Sequence, residues 1–198
     1  MIRTFLIVSL FALSGCAGTD AVGRGTENTV YYTVPGNCDL APRDGGMGCD
    51  FVSEDGRDRR ILAHFNDIEA SDSEAAEIAS MNAAETTEYY RELITGIDAR
   101  RRRNQPAGYS QTSYRLLTPE ETPPGFTACA KSRDVSFLSG DGRSDRAHLH
   151  CWLQNTDPSL SSQFLFSYSE RNDRGTPVSA RFEGDANAVL STVWVDRP

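Results

Sequence analysis

Residues 126–154 read FTACAKSRDVSFLSGDGRSDRAHLHCWLQ. Two strand-like stretches, Phe126 to Leu138 and Gly142 to Gln154, flank Ser139-Gly140-Asp141, which predicts an antiparallel hairpin. If the turn is centred on Gly140, facing residues have numbers that sum to 280, and Cys129 and Cys151 satisfy that sum. The two thiols are then cross-strand neighbours, placed for a bridge in an oxidising compartment. A slip of one residue would put them on opposite faces. Downstream, Phe164, Phe166 and Tyr168 alternate with Leu165, Ser167 and Ser169 within Gln163 to Ser169, the pattern of an antiparallel strand with one apolar face.

Working upstream, Val30 to Val34 is β-branched and aromatic and reads as a strand. Phe51 to Glu54 and Arg57 to Phe65 flank Asp55-Gly56, a dipeptide suited to a type I′ hairpin turn. The pattern then turns helical: Ala75, Ile78, Ala79, Asn82, Thr86, Tyr89, Tyr90, Leu93 and Ile97 recur at three- and four-residue steps. Ser71 or Asp72 caps the start of this helix, and Arg100, Arg101, Arg102 and Arg103 close it at the negative end of its dipole. A proline- and threonine-rich loop covers Thr118 to Gly125. The stretch Asp185 to Trp194 reads as a short helix capped by Asp185, although its β-branched end favours a strand. The expected fold is therefore α+β: a single domain with one antiparallel sheet and a long helix and a short C-terminal helix packed on one of its faces. This element order resembles the small α+β domains of the PsbP and Mog1 type, and the resemblance implies an accessory or scaffolding role. The aromatic set Tyr89, Tyr90, Trp152, Phe164, Phe166 and Tyr168 is expected in the core rather than around a pocket.

The chain of 198 residues carries 20 basic and 28 acidic side chains, a net charge of −8. That excludes a nucleic-acid binder held mainly by electrostatics. The charge is unevenly spread: Asp67 to Asp98 holds nine acids and one base, and Arg100 to Arg103 follows at once. Besides matching the helix dipole, this basic run is a candidate patch for anionic lipid headgroups or a partner's acidic surface.

Five cysteines leave one unpaired. Arg3, the apolar run Phe5 to Leu13 and the small residues after it have the order of an export signal. Leu13-Ser14-Gly15-Cys16 resembles the lipobox of bacterial lipoproteins. The resemblance implies cleavage before Cys16, diacylglycerol on its thiol and usually a further acyl group on the new amino terminus. Ala17, not Asp, follows the cysteine, which under the sorting rule of that family implies the outer membrane. The mature chain would then have 198 − 15 = 183 residues and a charge of 19 − 28 = −9. The expected organisation is a signal peptide over residues 1–15, a lipidated cysteine and flexible tether over 16–29, and a single domain over 30–198. The other four cysteines are expected in two disulfides; spacing favours Cys38 with Cys49 and Cys129 with Cys151 among the three connectivities. A Cys₄ metal site lacks any Cys-x-x-Cys pair.

Residues of chemical interest are few. On a strand His148 and His150 share a face, with Cys151 on the other, and His64 is the one remaining histidine. These three are the candidates for a metal or for an envelope hydrolase. The loop Gly140 to Asp145 lacks a calcium register. The glycines Gly45, Gly46 and Gly48 lack the lysine of a phosphate loop and read as a flexible loop. Neither Gly-x-Ser-x-Gly nor Ser-x-x-Lys occurs, so no catalytic residue, no cofactor and no metal site is assigned. The sequence thus reads as a lipid-anchored lipoprotein of the outer membrane that faces the periplasm. It would act as a binding or accessory module with an envelope protein partner, the histidine hydrolase being the alternative.

Overall fold

The computed structural model describes residues 18–25, 27–105, 107–137 and 142–196. The expected export signal, Cys16 and residues 138–141 lie outside the described residues.

The elements in chain order are β1 (Thr19–Arg24), β2 (Thr29–Val34), β3 (Ala41–Arg43), β4 (Gly46–Val52), β5 (Asp58–Glu69), α1 (Asp72–Ser80), α2 (Ala83–Arg103), β6 (Tyr109–Leu116), β7 (Ala128–Phe137), β8 (Gly142–Gln154), β9 (Leu160–Asp173), α3 (Phe182–Leu190) and β10 (Trp194–Asp196). They form a single α+β domain with two antiparallel sheets. The large sheet runs β3-β4-β5-β9-β8-β7-β6 and the small one β1-β2-β10.

The β7–β8 register pairs Cys129 with Cys151, Ala128 with Trp152 and Phe137 with Arg143, so the sum of 280 holds along the whole hairpin. Cys129 and Cys151 are bridged with their Cα atoms 4.1 Å apart, and Cys38 and Cys49 are bridged at 5.5 Å. Both are the pairs that spacing favoured.

One face of the large sheet carries Ile61, Ala63, Leu149, Cys151, Phe164 and Phe166, all buried against the small sheet and α3. Tyr32 of β2 meets Phe166 at 4.9 Å between ring centroids, and Phe182 of α3 meets Tyr168 at 5.5 Å. The opposite face buries Ala128, Ala130 and Trp152 beneath Tyr90 and Ile94 of α2. The two helices therefore lie on opposite faces, not on one as expected. An apolar stripe on a helix does not say which side of a sheet it will cover.

Four local expectations are corrected. The single long helix is two. Ser71 and Glu74 form a capping box for α1, and Asn82 and Glu85 form another for α2, so the apolar stripe continues while the backbone breaks at Met81-Asn82. The Asp55-Gly56 turn is not type I′. Gly56 N–H donates to Ser53 O at 2.8 Å and Ser53 N–H to Arg57 O at 3.0 Å, while Gly56 alone takes positive φ, which is a three-residue loop ending in a glycine bulge. The type I′ geometry instead sits at Asp44-Gly45, with φ of 50° and 81°, and turns the expected flexible glycine loop into the β3–β4 hairpin. Finally, the expected tether contains β1, paired over its full length with β2. The short C-terminal helix is present as α3, with no side-chain cap, and the β-branched end beyond it forms β10 against β2.

Candidate functional site

Because α2 covers only the β6–β7–β8 half of its face, the remaining sheet surface forms a groove of about 510 Å³ between the end of α2 and the β3–β4 turn. Its floor is ordered in rows across the strands. One row runs Asp50, Arg60, Ser169, Arg146, Asp134 and Gln111 across β4, β5, β9, β8, β7 and β6, and its four middle residues line the groove. The next holds Leu62, Ser167 and His148. Arg171 borders the first row, and Arg101 overhangs from α2.

The polar groups of this surface are graded from paired to unpaired. Arg60 Nε lies 2.6 Å from Asp50 Oδ1 and Arg43 meets Oδ2, so hydrogen bonding by Arg60 above all pulls the Asp50 carboxyl down to about 2. Asp134 is 3% exposed, and its Oδ2 accepts from Tyr109 OH and His148 Nε2, both at 2.7 Å. Burial pushes this carboxyl up, but hydrogen bonds from His148 and Tyr109 with the charge of Arg146 more than offset that and hold it below the usual range. Burial and the Asp134 carboxylate together push the Tyr109 hydroxyl up. Arg146 donates to Ser136 Oγ at 2.8 Å. Arg101 and Arg171 are exposed and have no ion-pair partner among the described residues. The groove is thus a partly apolar floor, including Leu62 and Leu165, rimmed by four guanidinium groups of which two are uncommitted. Guanidinium forks match carboxylates and phosphates in geometry and charge.

The arginine run at the end of α2 does not act as one patch. Successive residues turn by about 100° around a helix. Arg101 therefore faces the groove, while Arg102 lies 2.5 Å from Asp98 and 5.5 Å over the Tyr114 ring. Arg100 and Arg103 are exposed and do not line the groove.

The histidines share the groove-side face, but only His148 lines the groove. His64 and His150 both face Leu165 from the strands on either side of β9, two strand spacings or about 10 Å apart. Among the described residues no group of three or more His, Cys, Asp and Glu is placed to hold a metal. His148 and His150 are buried, at 8% and 9% exposure, the first against Asp134 and the second against Gln163.

His150 carries a testable consequence. Its Nε2 lies 2.5 Å from Gln163 Nε2, so the amide N–H donates to an unprotonated ring nitrogen, and protonation would set two donors against each other. Burial first, then the charges of Arg101 and His148, lower its pKa to about 4. The group is a base with a depressed folded-state value, so below pH ~6.5 the unfolded chain binds a proton that the folded chain refuses. Stability should fall as the pH drops from about 6.5 to about 4, by on the order of 3 kcal/mol from this group. Urea titrations at pH 7 and pH 4.5 on the wild type and His150→Gln should show this component shrinking in the variant; equal losses would sink the assignment.

Sequence reasoning missed Arg60, Arg146, Arg171, Tyr109 and Asp134. Part of the signal was present: Asp134 and Arg146 also sum to 280, which sets them opposite each other, five residues along the hairpin from the Cys129–Cys151 pair and on the other face.

No protein-family model and no curated protein matches the chain. Its class is that of a single α+β domain with a large antiparallel sheet covered on both faces. Among solved structures it is similar to LpqN, involved in cell envelope biogenesis of Mycobacterium tuberculosis, with a TM-score of 0.52, 12% identity and 92% of each chain covered. The Ran-binding protein Mog1p of Saccharomyces cerevisiae aligns at a TM-score of 0.43 and 9% identity, over 89% of this chain and 94% of that one. The likeness to LpqN establishes a shared fold. No described helix is long and apolar enough to cross a membrane.

Proposed function

We propose that the protein is a lipoprotein of the outer membrane, anchored through Cys16 and facing the periplasm. It acts there as a binding or accessory module whose arginine-rimmed groove takes an acidic surface of an envelope protein. The observation that carries this reading is the open half of the sheet face, where Arg101 and Arg171 stand unpaired above a half-apolar floor. The formed lipobox supports the anchor, and a neighbour of the same fold involved in cell envelope biogenesis agrees with an envelope role. The histidine hydrolase has less support, since His64, His148 and His150 do not converge.

Two experiments test the reading. Labelled palmitate should enter the wild-type chain and not Cys16→Ala, with the variant lost from the membrane fraction; equal labelling would remove the anchor. Crosslinked capture from envelopes should be compared for the wild type, Arg101→Glu/Arg171→Glu and Arg100→Glu/Arg103→Glu, Arg100 and Arg103 being exposed and off the groove. A partner held by the groove should be lost with the first pair, retained with the second and weakened by salt. Loss with both pairs, or with neither, would mean the groove is not the site.

A further inference from the structure

The small sheet presents a second surface, on the side away from the groove. Val30, Tyr32 and Val34 of β2 point into the core, so Tyr31 and Thr33 point out. The registers set Val22, Tyr31 and Trp194 side by side across β1, β2 and β10. Val22 is 41% and Trp194 44% exposed, and the Tyr31 and Trp194 rings stack at 4.3 Å. Asp20, Arg24, Thr29, Thr33 and Asp196 surround this row on the same face. A flat apolar row with two amphipathic rings and a polar rim is the composition that settles at a membrane–water interface.

The chain indicates what covers it. Strand β1 begins at Thr19, and Cys16 is two residues before Gly18, a contour of at most about 7 Å between Cα atoms. An acyl anchor on Cys16 would hold the edge of this sheet at the lipid surface, with no tether long enough to let the domain tumble freely. We infer that the Val22–Tyr31–Trp194 face docks on the lipid bilayer, fixing the domain's orientation; this rests on Cys16 being lipidated. The large sheet lies between that face and the groove, so docking leaves the arginines directed away from the anchoring membrane and open to periplasmic partners. It also removes the membrane's own headgroups as the target of Arg101.

The two tryptophans make the test direct, because Trp152 is 3% exposed beneath α2 on the groove-side face. The full-length acylated protein is reconstituted in vesicles of phosphatidylethanolamine and phosphatidylglycerol containing a doxyl-labelled phospholipid. In Trp152→Phe, where Trp194 reports alone, most of the emission should be quenched; in Trp194→Phe, where Trp152 reports alone, it should be retained. Intact mass and vesicle flotation of the same samples report lipidation. An acylated, floating protein whose Trp194 emission is unchanged overturns the docking and leaves the anchor standing. A protein without added mass that does not float overturns the anchor and the docking with it.

Discussion

Replacing Glu170 by alanine is expected to destabilise the domain by about 3–5 kcal/mol, the cost of leaving an uncompensated buried charge. Glu170 is 0% and Arg59 1% exposed, and they face each other across β5 and β9. Glu170 Oε2 lies 2.5 Å from Arg59 Nη1, while Oε1 accepts from the Ser179 amide at 3.0 Å. Arg59 also donates through Nε to Tyr168 OH at 3.0 Å and lies 3.1 Å from Asp55 through Nη2. The pair thus ties two central strands to the β4–β5 turn and to the segment leading into α3. With the carboxylate gone, the guanidinium stays between the Tyr168 and Phe182 rings, about 6 Å from each, with only the partly exposed Asp55 to offset it. For a domain of this size the loss corresponds to a fall in Tm of roughly 10 °C. The double variant Arg59→Met/Glu170→Leu should recover most of the loss, because removing both charges also removes their desolvation cost. Chemical unfolding of the two variants decides it: a single-variant loss below about 0.5 kcal/mol, the scale of ordinary surface changes, would mean the pair is not the clamp described.

That clamp was invisible in the sequence for the same reason as the groove. Alternation gave each strand its apolar face and the sum of 280 gave one hairpin its register, so the β7–β8 pairing and its bridge were legible. Seeing that Arg60, Ser169 and Arg146 form one row requires knowing that β5, β9 and β8 are neighbours in that order, and β5 and β9 are joined through two helices and three strands. The same gap hid the pairing of β10 with β2, which is remote from it along the chain, whereas β1 is joined to β2 by a short turn and was hidden by its small and polar residues. Local chemistry misled in one place: Asp-Gly occurs at both Asp44-Gly45 and Asp55-Gly56, and only the first has the two-residue spacing between paired strands that a type I′ turn needs. At Asn82 the caps competed with the apolar period and won, because asparagine with Glu85 satisfies amide groups that a continuous helix would have paired internally.

Removing the central bridge with Cys129→Ala/Cys151→Ala should cost about 3 kcal/mol in loop-closure entropy over the sequence separation of 22, with ~1 kcal/mol more for lost packing. Both cysteines are buried, at 1% and 0% exposure, and Cys151 is paired with Phe164 on β9, so the cavity opens within the aromatic core rather than at its rim. The Cys38–Cys49 bridge closes a separation of 11, and its alanine pair should cost about 0.6 kcal/mol less in loop-closure entropy. The two parts of the central effect are separable. Entropy regained by the unfolded chain goes with a larger denaturant m-value, since an uncrosslinked chain exposes more surface on unfolding, whereas a cavity lowers stability without moving m. Denaturant unfolding without reductant should therefore show both a lower midpoint and a steeper slope in Cys129→Ala/Cys151→Ala. A lower midpoint at unchanged slope would assign the loss to packing alone. Wild-type stability in that variant would show that the two β-strands hold their register through the Phe164 and Phe166 core without the covalent link.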